Sequence, residues 1–202
     1  MIVLLVTGGI GSGKSAVCAY LESKGYPVYY SDDRAKALYD EQPALSLKVD
    51  ELLGGALLSV DGKLDRSALA ARVFGDAGKL KLLESLIHPA VLDDFLGWLS
   101  AQDSPLVVME SAIALNLPEF MAHIDKVLLV DAPIDLRLKR ACARDGKDSK
   151  SILSRMERQS FNPSAADYVL LNDAGLEELR SRTEQALKKM SIFVNCNDLI
   201  NK

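Results

Sequence analysis

A short apolar run, Ile2 to Val6, rich in β-branched residues, leads straight into Gly8-Gly9-Ile10-Gly11-Ser12-Gly13-Lys14-Ser15. The octapeptide satisfies G-x-x-x-x-G-K-[ST] and stands between a strand pattern and a helix pattern, the context such a loop requires. Its glycines let the backbone turn tightly and bring N–H groups against phosphate oxygens. The N-terminus of the following helix adds partial positive charge. Lys14 is expected to reach the β- and γ-phosphates, and the Ser15 hydroxyl to ligate Mg²⁺. The expected nucleotide contacts are therefore Gly9, Gly11, Ser12, Gly13, Lys14, Ser15 and Ala16, with ATP and Mg²⁺ as cofactors. A dinucleotide loop is excluded, because Gly9-x-Gly11 would need glycine where the chain has Lys14.

The 202 residues suffice for one sizeable α/β domain. Val28–Tyr30, Leu106–Met109, Lys126–Val130 and Tyr168–Leu171 read as further strands, each separated from the next by helical patterns. Alternating strands and helices imply a five-stranded parallel sheet covered on both faces. The mostly helical stretch 34–102 is too long for one crossover and reads as an inserted subdomain over the carboxyl edge of the sheet. It is expected to break at Gly54-Gly55, Asp61-Gly62, Gly75, Gly78 and His88-Pro89. Trp98, at helical spacing from Phe95, reads as core, and a helix after 150 is expected to run to about Ser160.

Net charge of −4 argues against a general nucleic-acid binder. The apolar run at the start is too short to span a bilayer and has no basic region before it, so no membrane attachment is expected. Cys18, Cys142 and Cys196 are scattered, without a CxxC pair or metal spacing, which fits a reducing cytoplasm. His88 and His123 match no zinc pattern with them.

Two clusters suit phosphoryl transfer. Asp32 and Asp33 follow the second strand, read as the neighbour of the loop-bearing strand. A carboxylate there accepts a proton from an attacking hydroxyl or holds a metal's water shell; Ser31 and the aspartates also suit a helix cap. Spacing alone leaves the choice between the aspartates open. Between Arg137 and Arg158 lie eight basic residues (Arg137, Lys139, Arg140, Arg144, Lys147, Lys150, Arg155, Arg158) against three acidic ones. Arg137, Arg140 and Arg144 share a helix face, which suits a lid at about 140–160 closing over triphosphate, with Arg140 and Arg144 stabilising the transferring group. Glu110, ending the third strand, is an acidic metal-shell candidate or a neighbour of a helix cap. His88 reads on pattern alone as a packed structural residue.

Further segments join these: Gly62-Lys63-Leu64-Asp65-Arg66 running to Val73-Phe74, Ile87-His88-Pro89, Val130-Asp131-Ala132-Pro133, Leu138-Lys139-Arg140, Arg144-Asp145, Arg155 with Gln159, and Ala166-Asp167-Tyr168 leading to Asn172-Asp173. Together with the glycine loop they resemble the dephospho-CoA kinase family over nearly the whole chain. The resemblance implies a P-loop kinase core, a helical substrate-binding insert and a lid. It implies transfer of the ATP γ-phosphoryl group to the ribose 3′-hydroxyl of dephospho-CoA. It selects Asp32 as base, matches Arg140 and Arg144 to lid arginines, places Arg66 and His88 on the substrate side, and sets Asn172 near adenine. The chain departs from the family pattern at Tyr30, where an aspartate is frequent, and at Glu110-Ser111-Ala112-Ile113, where Pro-Leu-Leu is usual. The competing readings are another P-loop kinase with a different acceptor and a nucleotide-binding switch protein. The switch reading lacks an Asn-Lys-x-Asp guanine reader, since the one Asn-Lys pair is Asn201-Lys202.

Overall fold

A computed structural model describes residues 1–146, 148–157, 159 and 162–192. In chain order the elements are β1 (Ile2–Thr7), α1 (Lys14–Ser23), β2 (Val28–Tyr30), α2 (Ser31–Glu41), α3 (Pro43–Leu52), α4 (Arg66–Val73), α5 (Ala77–Ser100) and β3 (Leu106–Glu110). They continue with α6 (Pro118–Met121), β4 (Lys126–Asp131), α7 (Ile134–Asp145), α8 (Ser149–Glu157), β5 (Tyr168–Leu171) and α9 (Leu176–Lys189). Two compact units emerge, one of Met1–Tyr29 with the described residues from Gln102 onward, the other Tyr30–Ala101. Lys147, Arg158 and Cys196 lie outside the described residues, as does all but the start of the tail from Ser191.

The first unit is built on a five-stranded parallel sheet in the order β2-β3-β1-β4-β5. β1 runs parallel to β3, with Val6 opposite Glu110, and to β4, with Leu4 opposite Lys126. Strands covered on both faces cannot alternate polar with apolar, and β1 and β3 accordingly read as continuous apolar runs. Leu4, Leu5, Val6, Val107 and Val108 are all fully buried. Asp125 and Asp167 extend the sheet's hydrogen bonding with side chains, accepting from Val3 N at 2.8 Å and Val127 N at 2.8 Å.

The strand order corrects one expectation. β2 is not the neighbour of β1, because β3 lies between them. Parallel strands are joined by long crossovers, so chain order does not dictate pairing. The strands beside β1 are β3, ending in Glu110, and β4, ending in Asp131, and neither leads to Asp32 or Asp33.

In the second unit α5 runs unbroken through His88-Pro89 and includes Gly78. Proline costs the hydrogen bond to the carbonyl four residues back, about 3 kcal/mol in an isolated helix. Leu83, Ile87, Val91 and Phe95 recur every fourth residue and are all buried, and packing along that stripe outweighs the local cost. Trp98 is half-buried rather than core, stacked on Phe95 with ring centroids 6.1 Å apart. Arg34 of α2 forks onto Asp94 of α5 at 2.9 and 2.8 Å, and onto Glu41 at 3.1 and 2.7 Å. A single antiparallel bridge, Leu58 with Leu64, closes the turn between α3 and α4. Among the described residues no helix is long and apolar enough to cross a membrane.

Phe95 is fully buried at the centre of the stripe on α5. Phe95→Ala should cost about 3–5 kcal/mol in urea unfolding, whereas a loss below about 1 kcal/mol would show that the stripe is not the core of this unit.

Candidate functional site

The loop after β1 is shaped by what stands against it. Gly8 has φ 146°, and a β-carbon on it would lie 2.1 Å from the Val130 carbonyl oxygen, a rigid backbone atom of β4. A β-carbon on Gly9 would lie 1.9 Å from the Arg137 guanidinium, the far end of a side chain. α1 begins at Lys14 with no side-chain cap at Gly13, which leaves its dipole directed at the loop.

Lys14 Nζ stands 3.8 Å from Glu110 Oε1 and 3.5 Å from the Gly9 carbonyl, and both ionic side chains are nearly buried. The same charges are felt by Cys18 beneath the loop. Burial pushes its thiol well above the ordinary range; the Glu110 carboxylate adds to that and Lys14 opposes it. Cys18 is thereby kept protonated and unreactive.

Side chains from the C-terminal half brace the reverse side of the loop. Asn172, just after β5, is buried and donates from Nδ2 to the Ser12 carbonyl at 2.8 Å. Arg140 of α7 donates to the Asn172 carbonyl at 3.0 Å and to its Oδ1 at 3.4 Å. Arg137 Nε donates to the Ile10 carbonyl at 3.1 Å, and Ile10 N donates to Gln159 Oε1 at 2.8 Å. The Asn172 carboxamide thus supports the loop from beneath. Arg137 and Gln159 are the loop contacts that residue spacing did not single out. The signal was there for Arg137, one helical turn before Arg140 on the same face.

The exposed Arg144 is tied to Asp145 at 2.7 Å, and Arg155 joins the same carboxylate at 3.1 Å. The hydrogen bond from Arg144, and then that from Arg155, hold the Asp145 carboxyl below its usual range. Arg144 is more firmly cationic than usual, first through that hydrogen bond, with Glu110 contributing at longer range.

In the second unit Ser31, Asp32 and Asp33 form the first turn of α2, and Tyr30 rather than any of them is the cap residue. Asp33 is paired with Lys36 at 2.8 Å, one turn on. The Asp32 carboxylate is exposed and holds no hydrogen bond or ion pair among the described residues. Arg66, at the start of α4, donates to Asp40 and to the Lys36 carbonyl, the latter at 3.0 Å. His88 is half-buried in the middle of α5.

A family model described as dephospho-CoA kinase matches residues 1–178. The chain belongs to the dephospho-CoA kinase family. The Porphyromonas gingivalis dephospho-CoA kinase is 41% identical over 176 residues, covering 85% of this chain and 86% of the relative. That of Salinibacter ruber is 36% identical over 190 residues, covering 92% and 96%. A solved Thermus thermophilus protein superposes with a TM-score of 0.81 at 35% identity, over 96% of this chain and 98% of its own. Dephospho-CoA kinases phosphorylate dephospho-CoA with ATP in the final step of coenzyme A synthesis. Membership sets aside the switch-protein reading, because the family is enzymatic.

The loop geometry separates two neighbouring glycines. Gly8→Ala forces a β-carbon onto a carbonyl that cannot move, and should lower unfolding stability by about 2 kcal/mol or more. Gly9→Ala displaces only the Arg137 side chain and should cost about 1 kcal/mol or less by the same reasoning, while weakening ATP binding. Thermal melts of both variants, with ATP titrations, make the comparison; equal melts would contradict the contacts described.

Proposed function

We propose that the chain carries the γ-phosphoryl group of ATP to the ribose 3′-hydroxyl of dephospho-CoA in the cytoplasm. In this reading Lys14, Arg140 and Arg144 stabilise the transferring group, Asp32 takes the hydroxyl proton, and Arg66 and His88 bind the acceptor. The observation that carries it is the braced loop, with Lys14 held at its mouth by Glu110 and the Gly9 carbonyl. A loop with its reverse side hydrogen-bonded keeps its N–H groups aimed before the nucleotide arrives, and such preorganisation is the main source of stabilisation in phosphoryl transfer. Gly9, Gly11, Ser12, Gly13, Lys14, Ser15 and Ala16 hold the phosphates, and Asn172 serves the nucleotide by supporting Ser12.

Magnesium suits this donor set. It keeps several waters and takes one or two hard oxygen ligands besides the phosphates. The exposed Ser15 hydroxyl, in the first turn of α1, is such a ligand. Among the described residues there is no cluster of three or more His, Cys, Asp or Glu able to hold a metal, and an ion carried by the nucleotide needs none. When bound it neutralises charge on the β- and γ-phosphates.

Arg140 supports the reading through its partner: Asn172 also holds Ser12, so the guanidinium is referenced to the loop itself. For the base, Asp32 is favoured within its own helix turn, since Asp33 is occupied by Lys36. Dephospho-CoA should stimulate ADP release far above AMP, CMP, pantetheine or shikimate, measured by a coupled assay at equal acceptor concentrations. Equal turnover of any other acceptor would remove the substrate assignment and leave the kinase chemistry standing.

The two aspartates give the second test. Asp32→Asn keeps the shape and removes the base, so turnover should fall roughly a hundred- to ten-thousandfold while ATP still binds. Asp33→Asn loses only a surface pair and should cost less than about tenfold. Steady-state kinetics on both, with ATP affinity measured separately, decide; the reverse order would move the base to Asp33.

A further inference from the structure

Ile10 occupies a position that the loop motif leaves to any residue, yet its N–H, its carbonyl and its side chain are all engaged. Its N–H donates to Gln159 Oε1 at 2.8 Å and its carbonyl accepts from Arg137 Nε at 3.1 Å. Its side chain packs on the buried cluster of Ala141, Ile152 and Met156, with Leu138 and Cys142 beside it. Those residues belong to α7 and α8, and Gln159 comes shortly after α8, its own N–H bonded to the Met156 carbonyl at 3.0 Å. The apolar plug and both backbone groups of one loop residue are thus held by a single helical arm. That arm also carries Arg140 and Arg144.

We propose that Gln159 is a positioning residue for phosphoryl transfer, acting through Ile10 to fix the phosphate loop to the α7–α8 arm. It does not touch the reacting atoms. A hydrogen-bonded Ile10 N–H sets the peptide plane between Gly9 and Ile10, and with it the aim of the loop amides that follow. The same bond sets the distance between those amides and the arginines on α7. Loop and arm then meet the triphosphate as one preorganised surface, where a displacement of about 1 Å costs up to a hundredfold in rate. Without the acceptor, Ile10 N–H is left a partly buried donor and the loop gains freedom to re-aim. A lost hydrogen bond of this kind is worth about 1 kcal/mol, or about five- to tenfold in rate.

The proposal rests on the reading that Arg140 stabilises the transferring group, and the test separates the two. Gln159→Met keeps the length and volume of the side chain and removes the acceptor. At saturating ATP and dephospho-CoA its kcat should fall about five- to tenfold, with the KM for dephospho-CoA unchanged within about twofold. A residue acting through the arm should matter little once the arm's arginine is gone. The double variant Gln159→Met with Arg140→Ala should therefore be no more than about twofold slower than Arg140→Ala alone. A purely structural role would instead lower the melting temperature and leave kcat of the folded enzyme at the parent value, which overturns the proposal. Fully multiplicative losses overturn it too. If Gln159→Met does not fold, Gln159→Asn, which withdraws the acceptor by one methylene and keeps the amide, is read by the same cycle. Arg140→Ala at the parent rate would remove the active-site reading, and this proposal with it. Gln159→Met at the parent rate beside a crippled Arg140→Ala removes the proposal alone.

Discussion

A backbone that offers its N–H groups to an anion leaves its other polar groups facing the protein, and those must find partners. Here this constraint organises the first unit. The Ser12 carbonyl goes to Asn172, the Ile10 carbonyl to Arg137 and the Ile10 N–H to Gln159. The three braces come from the end of β5, from α7 and from just beyond α8, all more than a hundred residues from the loop. A buried backbone group without a partner costs about as much as a lost hydrogen bond. The loop therefore cannot hold its shape until the C-terminal half of the sheet has formed around it. The glycines complete the arrangement: at Gly8 the chain passes so close to β4 that no β-carbon fits.

The cations of the site meet a related constraint. A nearly buried lysine is costly without a counter-charge, and Glu110 supplies one at 3.8 Å, on the strand paired with β1. The arginines of the arm are treated likewise. Arg140 rests on the Asn172 carbonyl, Arg137 on that of Ile10, and Arg144 with Arg155 on Asp145. Asp145 is held below the ordinary carboxylate range, so its pairing contributes stability above that range and loses it only as pH falls through the lowered value. Arg137, Arg140, Arg144 and Arg155 are thus each set on a protein oxygen.

Much of this was legible in the sequence, and what was not has identifiable causes. The five strands, the glycine loop and the helical character of the insert follow from period and punctuation, which are local. Strand order is not local, and so Glu110 and Asp131, rather than the Asp32 segment, end the strands beside β1. The continuity of α5 through Pro89 was hidden because the local penalty is visible in one residue, whereas the compensating stripe from Leu83 to Phe95 acts only when packed. Trp98 shows the converse: helical spacing from Phe95 put it on the right face, but near the helix end, where burial is partial. Asn172 stood out by resemblance, yet its carboxamide contact with Ser12 joins residues 160 positions apart, which no spacing rule reaches.

Asp32 and Asp33 differ in their local surroundings. Read as the end of a strand, the pair would point to opposite faces. As the first turn of α2 they are about 100° apart around a helix, both stabilised by its N-terminal dipole. What separates them is the next turn. Lys36 lies three residues from Asp33, the spacing at which side chains meet on a helix surface, and takes that carboxylate. At the corresponding positions Asp32 meets Ala35 and Lys36, and Lys36 is already engaged by Asp33. Arg34, on the same turn, is turned away into its fork with Asp94 and Glu41. Its hydrogen bonds to Asp94, then to Glu41, hold its charge more firmly than in an ordinary arginine, so it is not released to Asp32. The local cations are thus committed elsewhere, and Asp32 keeps a carboxylate whose acceptor capacity is open to a hydroxyl, the condition a general base must meet.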